Sequence, residues 1–489
     1  MALLGIDIGT SSCKVAAFHE NGHVLTSASA SYAVSYPALG YAEQRAEIWW
    51  DAACQAMNDL WKMVSPSSIH AVGVAGQGWS PVLLDKNGDV LAPTPLWLDT
   101  RATQMCDTWH EQGLEEKLFS VCGNPLQPGY VTPKLLWFKK HHPDMYTRIS
   151  MVLQSNGYLT YRLTGALVQD HCNAYGWHFY DSQKDAWNTE LCREMDLDPA
   201  FLPPLVPCSS IVGKVTTAAA RQTGLLDGTP VVAGGLDAAC GTFGAGVVLP
   251  GQTQEQGGQA GGMSICQDVF TADPRLILSR HVLPDLWLLQ GGTTGGGGVM
   301  RWLSACFQES PRQLDQEAES VPPGSDGLIF LPYMAGERSP IWDPNAKGVF
   351  YGLDFGKSRG YIVRAALEGV AYSLRHNLEA AKDAGASVGT LFATGGSANS
   401  RLWTQMKADV TGHSIRVPAS DTATTHGAAM LAGLGIGVYA DGVEAVKQTV
   451  QFRQDYTPNT TRKEIYDEGY DAYLALSDTL AQKALETMR

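Results

Sequence analysis

The order of predicted strands and helices repeats in the two halves of the chain, and this repeat restricts the possible folds more than any other feature. In the first half, the apolar runs Leu3–Ile8, Val15–Phe18 and Val24–Ser31 predict three consecutive strands. Apolar residues at helical spacing over Ala46–Met63 then predict an amphipathic helix, and Ile69–Ala75 predicts a buried strand. The first half therefore begins with three strands, a helix and a strand.

A similar order follows after about residue 246. Short strands are predicted at Met263–Cys266, Leu276–Leu278 and Trp287–Leu289, and a helix is predicted to begin near Val299. Two halves of matching order predict an α/β fold with two related domains that face a cleft, over residues 1–246 and 247–489. The remaining predicted elements of this half are strand Gly327–Leu331, helix Arg359–Ala384, strand Thr390–Thr394, helix Ser400–Thr411 and strand Ile415–Val417.

Charge and composition exclude several classes of protein. The net charge is −14, and no run of Lys or Arg exceeds two or three residues, which argues against binding to nucleic acid or to an anionic membrane. The start MALLGID lacks the basic segment of a signal peptide, and no apolar stretch approaches the ~20 residues of a membrane span. The ten cysteines contain no CxxC pair, which favours reduced thiols. We therefore expect a cytoplasmic protein.

The first motif that carries chemistry is GIDIGTSSCK, Gly5–Lys14. An apolar strand ends at Asp7, and the small residues after it form a tight turn whose N–H groups can approach phosphate oxygens. A carboxylate in that position is suited to hold Mg²⁺ through water. The alternative is an ordinary hairpin in which Asp7 only caps the turn.

The second motif is VVAGGLDAACGTFGAG, Val231–Gly246. An apolar strand runs into Gly234-Gly235, and Asp237 follows where a helix is predicted to begin. A carboxylate in this position can accept the proton of an alcohol that attacks a phosphoryl group. The alternative is that Asp237 serves as the N-cap of its own helix, since Asp is a preferred N-cap residue.

Two further glycine-rich segments precede predicted helices. In LFATGGSANSRLWTQMKADV, Leu391–Val410, a strand is followed by Gly395-Gly396 and a helix whose N-terminus can face a phosphate. The segment Gly291–Gly298 contains six glycines in eight residues, which indicates close approach of a ligand because glycine costs conformational entropy. For Gly395-Gly396, the alternative is a common strand-to-helix turn.

Together these motifs resemble the FGGY carbohydrate kinases, which have the actin/hexokinase-like (ribonuclease H-like) ATPase fold, and among them the xylulokinases. The resemblance covers nearly the whole chain. It includes GYAEQRAEIWW at Gly40–Trp50, GYVTPKLLWFKKH at Gly129–His141 and FLPYMAGERSPIWDPNAKGVFYGL at Phe330–Leu353. The stretch Gly348–Glu368 is similar to the C-terminal signature of the family.

The resemblance implies ATP and Mg²⁺ as cofactors, a small sugar or polyol as the acceptor, and allows a homodimer. It implies that Asp237 is the catalytic base and Asp7 the Mg²⁺-associated aspartate. Residues 1–246 would hold the sugar, the first phosphate hairpin and Asp237, and residues 247–489 would bind the nucleotide. The implied nucleotide-binding residues are Gly9, Thr10, Ser11, Gly258, Gln259, Gly295, Gly296, Gly395, Gly396 and Asn399, and the implied sugar-binding residues besides Asp237 are Gln77, Gly78, Trp79, Trp97, Asp99 and Arg101.

Two departures from the family pattern bear on the substrate. Xylulokinases usually have Gln-Met-His where this chain has Gln77-Gly78-Trp79, and Gly-Thr-Ser where it has Gly258-Gln259-Ala260. The hypothesis is ATP-dependent phosphorylation of a small ketose, with a pentulose such as xylulose first. The alternatives are a kinase of another ketose or polyol (L-xylulose, ribulose, glycerol or erythritol) and a degenerate ATP-binding regulatory protein.

Overall fold

Two mixed β-sheets form the centres of two α/β domains in the computed structural model, which describes residues 1–487. Residues 488 and 489, which end the predicted second domain, lie outside the described residues. The strands of the first sheet are β1 (Ala2–Ile8), β2 (Ser12–His19), β3 (Val24–Ser31), β4 (Ile69–Gly76), β5 (Ile211–Lys214), β6 (Pro230–Val232) and β7 (Gly235–Leu236). Those of the second are β8 (Thr253–Gly257), β9 (Gly261–Gln267), β10 (Ile277–Arg280), β11 (Trp287–Thr293), β12 (Leu391–Thr394), β13 (Ile415–Pro418) and β14 (Phe452–Tyr456).

The two sheets share one pattern of pairing. In the first, the order is β5-β6-β4-β1-β2-β3, with β1–β2–β3 antiparallel and β4 parallel to β1. In the second, the order is β10-β11-β9-β8-β12-β13-β14, with β8–β9–β11 antiparallel and β12 parallel to β8. The prediction of two related α/β domains that face a cleft is confirmed.

Burial explains why the central strands form where they do. All seven residues of β1 are buried, which suits a strand that is covered on both faces. The helix Glu47–Leu60, predicted as Ala46–Met63, packs against β2 and β3 and buries Trp49, Ala53 and Met57 among other residues.

The sequence analysis missed strand β8, although it lies at the centre of the second sheet. Its sequence is TQEQG, so polar residues interrupt the apolar pattern that indicates a strand. The structure compensates within the core, because the buried Lys407 Nζ lies 2.6 Å from Glu255 Oε1. A buried ion pair of this kind becomes visible only when the two elements meet.

The helix Ala423–Gly435 belongs to the second half of the sequence but packs against β1 and β4 of the first sheet. Gly5 and Gly73 permit this contact, since a Cβ atom at either position would lie 1.9 Å from a carbonyl oxygen of the helix. This helix therefore ties the two halves together, and the division at residue 246 stays a prediction.

The remaining helices and paired strands surround the two sheets. Among residues 1–487, no helix combines the length and apolarity needed to cross a bilayer. The ten cysteines are free, and eight are buried. The other helices are Thr103–Glu111, Glu115–Cys122, Val131–His141, Pro143–Tyr146, Ser155–Thr164, Thr189–Glu194, Thr217–Thr223, Asp237–Gly244, Gly297–Phe307, Pro311–Glu319, Arg359–Asp383, Arg401–Thr411, Gly442–Thr449 and Lys463–Thr487. The two-stranded ladders pair Glu43–Gln44 with Thr94–Pro95, Val82–Leu84 with Met151–Leu153, Gln169–Asp170 with Leu205–Val206, Tyr180–Asp181 with Ala186–Trp187, and Ile329–Leu331 with Val349–Tyr351.

Candidate functional site

Two cavities open into the cleft, and they meet at Gly257 and Gly258. The first, which we call the interdomain cavity, has a volume of about 870 Å³ and is lined by residues of both halves of the chain. The second, the C-terminal cavity, has a volume of about 1270 Å³ and is lined only by residues of the second half. Gly257 and Gly258 line both, so a ligand in one cavity can reach a ligand in the other.

The carboxylates of Asp7, Asp237 and Asp421 line the interdomain cavity. Strand β1 carries Asp7, whose Oδ1 is buried without a hydrogen-bond partner among the described residues. Burial raises the pKa of Asp7 to about 6, and the charge of Lys14 opposes that rise. Burial also raises the pKa of Asp237 to about 7, with the nearby charge of Asp7 as the second cause. Asp237 is therefore poised to exchange a proton near neutral pH.

Asp237 is the first residue of the helix Asp237–Gly244 rather than its N-cap. Leu236 occupies the N-cap position and offers no side-chain cap. The Asp237 carboxylate accepts one hydrogen bond, at 2.6 Å from the backbone N–H of Ala238. The other carboxylate oxygen accepts no hydrogen bond from the described residues, and Asp237 lines the interdomain cavity, so this local contact does not occupy the whole group.

The two predicted phosphate turns occupy equivalent places in the two sheets. Gly9 and Thr10 lie in the turn between β1 and β2 and line the interdomain cavity. Gly258 and Gln259 lie in the turn between β8 and β9, and Gln259 lines the C-terminal cavity. Ser11 lines neither cavity; it is exposed, and its carbonyl accepts a hydrogen bond from the N–H of Tyr32 at 3.0 Å.

A hydrogen-bonded row of side chains forms one wall of the interdomain cavity. Trp97 Nε1 donates to Thr10 Oγ1 at 3.0 Å, and Thr10 Oγ1 donates to Gln77 Oε1 at 3.3 Å. Gln77 Nε2 is buried and has no partner among the described residues. A buried amide that lacks a partner is costly, so this wall is suited to a polar ligand.

Trp79 forms an aromatic wall beside Gln77. Its ring stacks on Tyr130 with centroids 4.1 Å apart, and its backbone has a φ of +59°, a left-handed value that is rare for a bulky residue. Gln154 Oε1 accepts from its N–H at 2.6 Å, which holds this conformation. Gly78 also lines the cavity, and a Cβ atom there would lie 2.8 Å from Leu236 Cδ1.

Asp99 and Arg101 do not line either cavity. Arg101 Nη2 lies 2.8 Å from Asp99 Oδ2 and 2.6 Å from Glu43 Oε2, in a cluster where the Arg101 and Asp99 side chains are buried. Asp99 Oδ2 also accepts from the N–H of Ala42 at 2.6 Å. The cluster anchors the loop that carries Trp97, so it supports the wall without touching the cavity.

The glycines predicted in the second half divide between the cavities and the core. Gly395 lines the interdomain cavity, whereas Gly396 and Asn399 line the C-terminal cavity. Gly295 and Gly296 line neither. A Cβ atom on Gly296 would lie 2.3 Å from the carbonyl carbon of Ala260, and one on Gly295 would lie 2.5 Å from Pro332 Cβ. These two glycines allow close packing behind the second turn.

Among the lining residues that the sequence analysis did not assign to the site, Arg338 and Tyr175 line the interdomain cavity. Gly297, within the predicted glycine run Gly291–Gly298, lines the C-terminal cavity. Arg338 lies within Phe330–Leu353, a stretch quoted for its family resemblance, so a signal for it was present. Tyr175 has no local signal, because an isolated tyrosine is usual in any core.

Comparison with known proteins decides the family. The model of the FGGY family of carbohydrate kinases, N-terminal domain, matches residues 2–244, and that of the C-terminal domain matches residues 273–436. The chain belongs to the FGGY family of carbohydrate kinases. It is therefore an ATP-dependent carbohydrate kinase.

Relatives of this FGGY kinase match it along almost the whole chain. Xylulose kinase of Bacillus subtilis (strain 168) is 31% identical over 477 residues, which cover 96% of this chain and 95% of the relative. The crystal structure of xylulose kinase from Rhodospirillum rubrum has 32% identity and a TM-score of 0.92, and the match covers 99% of each chain. Gluconokinase of B. subtilis (strain 168) is 28% identical over 93% of this chain and 91% of the relative. The predicted two-domain kinase fold is confirmed.

Proposed function

We propose that this kinase transfers the terminal phosphoryl group of ATP to a hydroxyl of a pentulose, with xylulose as the first candidate. One observation carries the proposal. Asp7 and Asp237 face a cavity that meets a second, larger cavity at Gly257 and Gly258. The relatives named xylulose kinase support the choice of sugar.

Asp237 is proposed as the base that accepts the proton of the attacking hydroxyl. A general base works best when its pKa lies near the working pH, and the pKa of Asp237 is raised to about 7. A divalent cation held near Asp7 would lower this pKa and favour the ionised carboxylate. The hydroxyl would then lose its proton as its bond to phosphorus forms.

ATP is proposed to lie in the C-terminal cavity, with its phosphates directed toward the interdomain cavity. Gly258, Gln259, Gly396 and Asn399 line the proposed nucleotide side. Gly9 and Thr10 would approach the terminal phosphate from the first half, because their turn lines the adjoining cavity. Backbone N–H groups in such turns bind phosphate oxygens.

Asp7 fits the requirements for holding Mg²⁺. Its Oδ1 is buried without a partner, and burial disfavours its negative charge until a cation compensates it. Mg²⁺ prefers carboxylate oxygens and keeps several waters, so Asp7 would hold the ion through water. When bound, the ion supplies positive charge that offsets the charge of the phosphate oxygens.

The sugar is proposed to lie against Gln77, Gly78, Trp79 and Trp97. Asp99 and Arg101, which the family resemblance implied as sugar ligands, are better placed to position the loop of Trp97.

We propose the domain division at residues 1–246 and 247–489, with the helix Ala423–Gly435 attached to the first sheet. We also propose that the enzyme acts in the cytoplasm, where ATP is supplied. A homodimer stays a prediction from the resemblance.

The decisive test is Asp237→Asn. We expect kcat to fall by about 10²- to 10⁴-fold, since general-base catalysis contributes effects of that size, while ATP affinity in calorimetry stays unchanged. Asp107→Asn, an exposed residue of the helix Thr103–Glu111, is the matched control. Turnover like that of the wild type in Asp237→Asn would remove this residue from the role of base.

A coupled ADP-release assay settles the substrate. The panel contains xylulose of both hands, ribulose, glycerol, erythritol and gluconate. Selective turnover of a pentulose supports the proposal, and selective turnover of another acceptor replaces it. ATP binding without sugar-dependent ADP release from any acceptor would favour the degenerate regulatory protein.

A further inference from the structure

Arg338 brings a guanidinium group of the second half of the chain into the interdomain cavity. Its Cζ lies 5.6 Å from the centroid of the Trp97 ring, which belongs to the first half. Within residues 1–487, no carboxylate oxygen lies within 4.0 Å of its side-chain nitrogens, and those nitrogens donate no hydrogen bond to the protein. An arginine has five donors, so this one has its full binding capacity free.

The backbone that carries Arg338 is firmly held. The Glu337 carboxylate accepts from the N–H of Arg338 at 2.7 Å, from the N–H of Thr294 at 2.9 Å and from Thr293 Oγ1 at 2.7 Å. Ser339 Oγ accepts from the N–H of Gly292 at 2.7 Å. The loop is thus attached on both sides of Arg338 to the end of strand β11.

Gly292 provides the space that the guanidinium occupies. A Cβ atom on Gly292 would lie 2.9 Å from Arg338 Nη1 and 3.1 Å from its Cζ. One glycine of the Gly291–Gly298 run is therefore explained by a side chain that must pass over it. The charge of Glu337 acts on Arg338, but no Glu337 oxygen lies within 4.0 Å of the guanidinium nitrogens, so the fold does not use their donors.

Arg338 and Asp237 both line the interdomain cavity, and both act on Tyr175. Burial and the charge of Asp237 raise the pKa of Tyr175, and the charge of Arg338 opposes that rise. A half-buried guanidinium that has no hydrogen-bond acceptor is unfavourable, and an incoming ligand with oxygen acceptors relieves that cost. The cavity therefore offers free hydrogen-bond donors besides its carboxylates.

We propose that Arg338 is a sugar-binding residue, supplied by the nucleotide-binding half, that donates hydrogen bonds to oxygen atoms of the sugar other than the phosphorylated hydroxyl. This inference rests on the proposed function. A sugar held by Trp79 and Trp97 on one side and Arg338 on the other links the two halves of the chain. Sugar occupancy thereby favours closure of the cleft.

The first test replaces Arg338 by Gln and by Lys. Loss of hydrogen bonds from a charged donor lowers kcat/KM for the sugar by about 10- to 150-fold in Arg338→Gln. We expect the loss to appear mainly in the sugar KM, with the ATP dissociation constant measured without sugar unchanged within about twofold. Arg338→Lys recovers part of the loss, since it restores one charged donor. Arg416→Gln, a partly exposed residue of β13, is the control.

Two further measurements separate binding from a structural role. Added guanidinium ion partly restores sugar turnover in Arg338→Ala, because the free ion can occupy the emptied space. Gly292→Ala raises the sugar KM without altering ATP affinity, because its methyl group displaces the guanidinium. Both variants are checked by thermal unfolding, and similar midpoints show that the fold is intact.

Two results overturn the inference: an unchanged sugar KM in folded Arg338→Gln, or equal losses of sugar and ATP affinity in that variant. A wild-type enzyme that phosphorylates no pentulose defeats the proposed function instead. In that case calorimetry with the acceptor that it does bind still decides the role of Arg338. Equal affinities of the wild type and Arg338→Gln for that acceptor would contradict the proposed role of Arg338.

Discussion

The interdomain cavity and its meeting point with the C-terminal cavity differ in what lines them. The first half of the chain lines the interdomain cavity with large side chains, among them Gln77, Trp79 and Trp97. The meeting point with the C-terminal cavity is lined by backbone, at Gly257 and Gly258. Side chains can be exchanged to suit one sugar or another, whereas backbone N–H groups bind any phosphate. This difference supports the proposal that sugar specificity resides on one side of the cleft and phosphate binding on the other.

The side-chain wall depends on a buried cation. Lys134 Nζ donates to the carbonyl oxygens of Trp79 at 2.7 Å, Leu96 at 2.6 Å and Gly129 at 2.6 Å. It thereby fixes three loops next to the proposed sugar-binding residues. Burial lowers its pKa to about 7, and it has no carboxylate within 4.0 Å among the described residues.

Among the variants that test the contrast between the side-chain wall and the backbone wall, Lys134→Met is expected to have the largest effect. Several buried carbonyl groups lose their donor at once, so the free energy of unfolding falls by about 3–5 kcal/mol. In the folded fraction, the sugar KM rises while the ATP KM stays nearly constant. Urea unfolding and steady-state kinetics measure the two effects, with the exposed Lys140→Met as control. Equal increases of both KM values would contradict the separation of the two walls.

The backbone wall is tested by Gly297→Ala. A Cβ atom at this position would lie 2.6 Å from the carbonyl oxygen of Gly258, so the second phosphate turn must shift. Strain of about 1–3 kcal/mol raises the ATP dissociation constant by about 10-fold or more. Sugar binding measured without ATP provides the internal control. A variant that loses sugar affinity and keeps ATP affinity would reverse the proposed assignment of the cavities.

The burial of the Asp237 carboxylate in the interdomain cavity is tested by the stability of Asp237→Asn. The pKa of Asp237 is about 7 in the fold against 3.8 in the unfolded chain, so the folded state binds this proton more tightly. Wild-type stability therefore decreases as the pH rises from about 4 to about 7 and stays lower above it. Asparagine removes this loss, so the free energy of unfolding of the variant at pH 8 exceeds that of the wild type by about 1–3 kcal/mol. Denaturant unfolding without ligands at pH 4 and pH 8 measures the free energies of unfolding of the variant and the wild type. The same difference between the two proteins at both pH values would contradict the raised pKa of Asp237.

The smallest effect is expected from Trp79→Phe. Phenylalanine keeps a ring on Tyr130 but removes part of the stacked area, which is worth about 1 kcal/mol. The sugar KM should rise about 2- to 10-fold, with ATP affinity unchanged. Trp302→Phe, at a partly exposed position of the helix Gly297–Phe307, is the control. A larger effect on ATP affinity than on the sugar KM would contradict the assignment of Trp79 to the sugar-binding wall.

Patterns along the chain were sufficient to predict much of the fold and the positions of Asp7 and Asp237 at the ends of buried strands. The motif at Gly5–Lys14 joins an apolar strand to a turn of small residues, and that local pattern predicted Asp7 and the first phosphate turn. Strand β8 was missed because polar residues interrupt its apolar pattern, and Lys407, the partner of its Glu255, lies more than 150 residues away in the chain. Arg338 and Tyr175 were missed for a similar reason, since they reach the cavity from distant segments. Gly295 and Gly296 were predicted to approach a ligand closely, but their close neighbours are protein atoms, and neither glycine lines a cavity.

By itself, the sequence determined the repeated α/β order, the glycine turns and the position of Asp237 after a buried strand. These features depend on residues close together in the chain, so local sterics and periodicity suffice to predict them. Only the tertiary structure decided which side chains share a cavity, which glycines serve packing, and that Arg338 faces Trp97. Those outcomes depend on burial and on charges brought together from distant segments, and no local pattern encodes them.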